Sequence, residues 1–132
     1  MQFTQQRPDS GNLIRRYGAD FIVVGEREIH ASCIVGPASF TSWPPRSVEE
    51  LAVEHLAALF ELVPEIVVLS TGATQKFPRA HLRAEFATRR IGLEVMEIGA
   101  ASRTYNVLVG EERKVLAAIL LPGAEVPSKP SG

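Results

Sequence analysis

The most constraining feature of the sequence is an uninterrupted apolar run near its end, from Val115 to Leu121, closed by Pro122. The run is too short to cross a membrane, which takes about 20 residues, and it lacks the polar alternation of a half-exposed strand. It therefore predicts a β-strand that is covered on both faces. Such a strand belongs in the middle of a sheet, with the other elements gathered around it.

The elements before this run predict an α/β fold. A helix over residues 98–109 is expected because Ala101, Tyr105 and Leu108 share one helix face. Two successive strand-helix-strand passages need crossovers of about a dozen residues, which favours helices packed on a mostly parallel or mixed sheet. The other predicted elements are an antiparallel hairpin or three-stranded unit over 13–35, a helix from about Val48 to Phe60, a strand over 66–69, an exposed helix after Pro78 stopped by Gly92, and a strand over 93–98.

Two local signals set the start of the first helix. The stretch Pro37 to Pro45 carries two large rings and two consecutive prolines, which oppose regular pairing, so we expect an ordered loop lying over the core. Ser47 followed three residues later by Glu50 has the spacing of a capping box. That pair predicts a helix that begins at Val48.

Composition narrows the class of protein. The 132 residues carry 14 basic and 15 acidic side chains, a formal charge of −1, which does not favour nucleic acid or an anionic membrane as partner. One domain is expected over residues 13–122, with a loose arm over 1–12 and a disordered tail over 123–132. With no apolar segment of about 20 residues and one cysteine, Cys33, we expect a cytoplasmic protein without membrane insertion.

The first candidate site is the small-residue loop from Ser70 to Lys76, directly after a buried strand. Loops at the carboxyl ends of strands in α/β sheets form ligand crevices, and here Thr71 offers a hydroxyl and Gly72 permits close backbone approach. The spacing matches neither common nucleotide-phosphate motif. A tight strand-to-helix connection explains the same small residues.

The second candidate site is the start of the last helix. Residues 99–102 would leave free backbone N–H groups able to hold an anion, with Arg103, Thr104 and Asn106 close by. The alternative is structural: small residues allow close packing on the sheet, while Asn106 satisfies a neighbouring backbone group.

The remaining chemistry-bearing residues favour structural roles. The three histidines lie on different predicted elements without zinc-site spacing, so we expect no metal and no cofactor. Cys33 shares a strand face with apolar residues and is read as an inert buried thiol. We expect the ring of Trp43 to cover the hydrophobic core, or to bind a partner if it is half exposed. The basic residues between 76 and 90 could dock an acidic partner, or form a solvated helix face.

With these features in hand, the chain resembles a family of small bacterial and archaeal α/β proteins whose mitochondrial relative is assembly factor 3 of respiratory complex I. The resemblance spans about Asp20 to Pro122. The residues that carry it are Ser42-Trp43, Ser70-Thr71-Gly72, Gly92 to Met96, Ala101 to Asn106 and Ala117 to Pro122. Two departures are Ser70, where the family often has Gly, and Glu111-Glu112-Arg113 in place of an acidic residue, Gly and Arg.

The resemblance implies a three-layer α/β fold with a mixed central sheet, and a non-catalytic role in assembly. We therefore expect a protein-interaction or assembly factor whose partner is a respiratory-complex subunit or another assembly factor. The alternative is a small-molecule or anion-binding protein or enzyme that uses a strand-end crevice near Thr71 and Asn106. The residues expected to bind partner or ligand are Trp43, Thr71, Gly72, Ser102, Arg103, Thr104 and Asn106.

Overall fold

The computed structural model describes residues 11–123. The predicted arm and tail lie outside these residues, except for Gly11, Asn12 and Gly123. The elements in chain order are β1 (Ile14–Tyr17), β2 (Ile22–Val24), β3 (Arg27–Ile29), β4 (Ala31–Gly36), β5 (Ser39–Ser42), a 3₁₀ turn (Val48–Glu50), α1 (Val53–Phe60), β6 (Ile66–Ser70), α2 (Ala80–Thr88), β7 (Gly92–Met96), α3 (Ile98–Gly110) and β8 (Val115–Pro122).

A mixed five-stranded sheet in the order β5-β4-β8-β6-β7 forms the centre of the fold. β8 runs parallel to β6 and antiparallel to β4, while β7 lies parallel to β6 at one edge. The first seven residues of β8 are buried, and their side chains alternate between two apolar clusters on opposite faces. The prediction of a central strand covered on both faces is confirmed.

Three layers result from this alternation. On one face, α3 and the small sheet pack against alternate residues of β8, from Val115 to Leu121. On the other face, α1 and α2 cover Leu116, Ala118 and Leu120. Each large aliphatic side chain buried in these clusters stabilises the fold by roughly 1.5–3 kcal/mol. The expected three-layer α/β architecture with a mixed sheet is therefore present.

The small sheet is the antiparallel unit predicted near the start of the chain. Its strand order is β1-β2-β3, and Ile22 pairs with Tyr17 on one side and Ile29 on the other. β4 belongs to the central sheet instead, so the predicted unit ends at Ile29. The buried residues Ile14, Ile22 and Val24 join this sheet to the cluster under α3.

Three local predictions were wrong. The stretch expected to be a loop contains β5, because Phe40 and its neighbours pair with β4 before Pro44 stops the ladder. Ser47 caps only the 3₁₀ turn, through a bond of 3.3 Å from Glu50 N–H, and α1 begins at Val53. Gly92 opens β7 instead of ending α2; Arg90 takes the left-handed turn, with φ of +59°.

Candidate functional site

The backbone N–H groups in the first turn of α3 already donate to acceptors within the chain. The Glu97 carboxylate accepts bonds from Gly99 N–H at 2.8 Å and Ala100 N–H at 2.7 Å. Ile98 N–H bonds to the carbonyl of Gly72, and Ala101 N–H to the carbonyl of Glu97. The two N–H bonds hold the pKa of Glu97 below its usual value, so the carboxylate stays charged at neutral pH. An anion entering here would have to displace Glu97.

The loop after β6 is a hydrogen-bonded turn that reaches the start of α3. The Thr71 hydroxyl donates to the Thr74 carbonyl at 2.7 Å and accepts from Lys76 N–H at 3.0 Å. Gly72 has φ of +100°, a conformation that favours glycine, and a Cβ there would meet no atom within 4 Å. Backbone conformation therefore explains this glycine without close packing.

Asn106 ties α3 to the small sheet. Its side-chain oxygen accepts from Ile14 N–H at 2.9 Å, and its amide nitrogen donates to the Ile14 carbonyl at 2.9 Å. The amide thus pairs with Ile14 as a neighbouring strand would. The adjacent Tyr105 hydroxyl donates to the Asn12 carbonyl at 2.6 Å, which fixes the chain just before β1.

Arg103 and Tyr17 continue this contact on the outside of α3. The guanidinium of Arg103 donates to the Tyr17 hydroxyl at 2.9 Å, and both side chains are exposed. Tyr17 also lies over Gly99, where an added Cβ would come within 2.9 Å of the phenol oxygen. A side chain at position 99 would therefore have to displace the exposed ring of Tyr17.

The other predicted site residues have different positions. The Ser102 hydroxyl is buried and donates to the Ile98 carbonyl at 2.8 Å, inside α3. Thr104 is half-buried on the same helix. Trp43 is only 3% exposed, and its indole N–H donates to the His55 carbonyl at 3.0 Å, so its ring is a core element and offers no surface.

The seven predicted residues therefore form three groups. Thr71 and Gly72 meet the start of α3 through the Gly72 carbonyl, and residues 102–106 lie along α3. Trp43 belongs to the apolar cluster on the opposite face of the central sheet. The hydroxyl and amide groups of Thr71, Ser102 and Asn106 are all engaged with backbone atoms.

Sequence reasoning missed Glu97, Tyr17 and Phe77. Glu97 stands directly before the small residues of a predicted helix, and a carboxylate at that position was a usable capping signal. Tyr17 reaches Arg103 across 86 positions, for which no local signal exists. Phe77 is 62% exposed beside Lys76, whose ammonium lies 3.7 Å from a Glu49 carboxylate oxygen.

The basic stretch between residues 76 and 90 is largely used within the fold. Arg79 donates to the Leu51 carbonyl at 3.1 Å, and Arg83 donates to the Pro78 carbonyl at 3.1 Å. Arg89 pairs with Glu85 at 2.7 Å and stacks over the Phe60 ring. These arginines hold α2 to its surroundings, which leaves fewer free donors for an acidic partner.

Two buried groups flank Ile119 on neighbouring strands, Cys33 on β4 and Ser70 on β6. Burial raises the pKa of Cys33 to about 12, so the thiol is protonated at neutral pH. The Ser70 hydroxyl is fully buried and has no hydrogen-bond partner within residues 11–123.

Within residues 11–123, no three His, Cys, Asp or Glu side chains gather to hold a metal ion. In this part of the chain, no helix is long and apolar enough to span a bilayer.

Comparison with known proteins agrees with this architecture. NADH dehydrogenase [ubiquinone] 1 alpha subcomplex assembly factor 3 from Danio rerio is 30% identical over 122 residues, which cover 91% of this chain and 70% of that protein. The NMR structure of a Xanthomonas campestris protein has a TM-score of 0.81 at 35% identity and covers 99% of this chain and 100% of that one.

Two further matches concern the fold and the family. A Bordetella pertussis protein, described as an Mth938-like domain, has a TM-score of 0.75 at 24% identity, covers 93% of this chain and 94% of that one, and shows the fold. A family model described as protein of unknown function DUF498/DUF598 matches residues 14–120. The chain therefore belongs to the DUF498/DUF598 family and is a homologue of assembly factor 3 of NADH dehydrogenase.

Proposed function

We propose that this chain is a non-catalytic protein that binds a protein partner during the assembly of respiratory NADH dehydrogenase. The observation that carries the proposal is the match to the Danio rerio assembly factor, which extends over 91% of the chain at 30% identity. A match of this extent includes the central sheet, α3 and the loop after β6. We therefore infer that the two proteins present their partner-binding surfaces on the same framework.

The geometry around α3 supports a binding role. The polar groups of Thr71, Ser102 and Asn106 hold the backbone in place, so they act as internal supports. The exposed side chains include Phe77, at the end of the loop after β6, and Arg103, on α3, and aromatic residues and arginine are enriched at protein interfaces. The proposed contact surface is the loop over residues 71–77 and the outer side of α3 around Arg103.

A deletion strain of the native host tests this function. We expect less assembled respiratory NADH dehydrogenase in its membranes, measured by native gel electrophoresis with activity staining, and recovery when the wild-type gene is restored. Phe77→Ser should restore less enzyme than wild type, because the change removes an exposed apolar ring without touching the core. Arg16→Gln, an exposed change on β1, is the matched control. An unchanged level of assembled enzyme in the deletion strain would refute the proposal.

The alternative ligand site near Thr71 and Asn106 stays a prediction. A thermal-shift screen with nucleotides and anionic metabolites tests it, because a ligand at 100 times its dissociation constant raises the free energy of unfolding by about 2.7 kcal/mol. The proposed cytoplasmic location is tested separately, by fractionation of the host followed by detection of the untagged protein.

A further inference from the structure

A hollow of about 360 Å³ lies at the end of the central sheet where β8 begins. Its walls come from three parts of the chain: the β4–β5 turn at Pro37, the segment after α1 at Leu62 and Pro64, and the first residues of β8. The volume falls within the usual range for sites that hold small groups. Two proline rings and the buried side chain of Leu116 make this hollow a preformed one.

Two exposed apolar residues follow α1, and the first of them, Leu62, lines the hollow. Leu62 is 45% exposed and Val63 is 69% exposed, next to each other and after the end of α1. Val63 also has φ of +50°, a left-handed conformation that β-branched residues strongly disfavour. Arg90 and Glu112 take the same conformation after α2 and α3, so at Val63 it marks the end of α1.

The polar side of the hollow carries positive charge. Arg113 and Lys114 line it, and the Glu65 carboxylate binds only the Nε of Arg113 and the backbone N–H of Lys114. Within residues 11–123, the ammonium of Lys114 forms no ion pair at contact distance, although its charge acts on the nearby Glu65 carboxylate. The hollow therefore combines apolar walls with two cations, and no carboxylate is among the described residues that line it.

We propose that this hollow holds a short segment of the partner protein in which an apolar side chain stands next to a carboxylate. The apolar side chain fills the space between Leu62, Pro64 and Leu116, and the carboxylate pairs with Lys114. Charge complementarity favours this occupant over a purely apolar one, because Arg113 and Lys114 line the hollow and a carboxylate gains an attraction there that an apolar occupant lacks. The inference rests on the proposed function, since it assumes a protein partner.

The first experiment titrates the ¹⁵N-labelled chain with acetyl-Leu-Asp-amide and follows backbone amide shifts. We expect binding on the order of millimolar, with shifts at Ser39, Leu62, Lys114 and Val115. Acetyl-Leu-Asn-amide should bind about two- to fivefold more weakly, the worth of one exposed ion pair. Lys114→Gln should abolish that difference between the two peptides, Leu62→Gln should weaken both, and Arg16→Gln should change nothing.

Several results would overturn the inference. They are the absence of shifts at the hollow, equal affinity for the two peptides, and tighter binding of sodium octanoate, which would indicate a lipid-like occupant. Concentration-dependent dimerisation that protects the hollow would indicate a second copy of this chain. Thermal unfolding of each variant verifies that the exposed substitutions leave the fold intact.

The second experiment separates this inference from the proposed function. The wild type, Leu62→Gln, Lys114→Gln and Arg16→Gln each serve as bait in host lysate, with NADH dehydrogenase subunits identified by mass spectrometry. Recovery by the wild type and Arg16→Gln alone supports both proposals. Equal recovery by all four overturns the role of the hollow and leaves the proposed function. Recovery by none counts against the proposed function, while the peptide titration still decides what the hollow binds.

Discussion

Replacing Asn106 with alanine should destabilise the fold by separating α3 from the small sheet. In the wild type, both polar backbone groups of Ile14 bond to the Asn106 amide at 2.9 Å. Ile14 is only 3% exposed, so water has poor access to the groups that would be left unpaired. Alanine favours the helix slightly, which offsets a small part of the loss.

The magnitude follows from the two bonds. A buried donor or acceptor left without a partner costs about 1–3 kcal/mol, and these bonds are only partly buried, so we expect a loss of about 2–4 kcal/mol. A domain of this size has a total stability of about 5–15 kcal/mol. The melting temperature should therefore fall by roughly 10 °C, at about 3–5 °C for each kcal/mol.

Urea unfolding followed by circular dichroism measures the loss, and amide hydrogen exchange locates it. The Ile14 amide should lose protection in the variant, because its acceptor has been removed. Thr104→Ala on the same helix is the matched control and should change stability by less than about 0.5 kcal/mol. Asn106→Asp keeps the acceptor but sets a carboxylate against the Ile14 carbonyl, so it should destabilise more at pH 7 than near pH 3, where the acid can donate.

A small effect would refute this reasoning. If Asn106→Ala costs less than about 0.5 kcal/mol and Ile14 stays protected, the two backbone groups have other partners and the amide is free for another task. If Asn106→Ala leaves stability unchanged but abolishes capture of the partner, Asn106 contacts the partner and does not support the fold.

Three further results are expected. Ser70→Ala should raise stability by about 1 kcal/mol in urea unfolding, since it removes a buried hydroxyl without a partner in the described part of the chain; a loss above about 1 kcal/mol would reveal a bound water or another acceptor. Cys33 should resist iodoacetamide at pH 8 in the native protein and react only after unfolding, because burial raises its pKa to about 12; fast native labelling, read by mass spectrometry, would contradict that burial. Glu97 has a folded pKa below the usual 4.5, so its stabilisation is complete above the unfolded pKa and is lost as the pH falls through the folded pKa. The difference in melting temperature between wild type and Glu97→Gln should therefore be constant above about pH 5.5 and shrink below pH 4.5, and a difference independent of pH would contradict the capping role.

The architecture was predictable where one physical pattern dominated. The run from Val115 to Leu121 has no polar residue, and only a strand covered on both faces satisfies all of its side chains. The periodicity of Tyr105 and its neighbours likewise predicted α3. Local signals failed at two places. Ser47 caps a short 3₁₀ turn that precedes α1, so it does not mark the start of the helix. The prolines after Ser42 suggested a loop where β5 forms an edge strand.

The polar contacts around α3 were much less predictable. Asn106 meets Ile14 across 92 positions, and nothing near either residue indicates which backbone group the amide will satisfy. The anion site predicted at the helix start depended on N–H groups that Glu97 occupies. Small residues at a helix start are equally consistent with a ligand and with close packing, and only the position of Tyr17 over Gly99 shows the packing.

The position of β8 in the sheet also has a consequence for biosynthesis. β8 is the last strand within residues 11–123 to be synthesised, yet it lies between the β4–β5 pair and the β6–β7 pair in the strand order. Before residue 115 is made, these two halves share no ladder, and each offers an open edge to other chains. We expect nascent chains to stay unfolded until β8 has left the ribosome, and to depend on holding chaperones until then. Chains truncated before β8 should be degraded as a whole, without releasing a folded half.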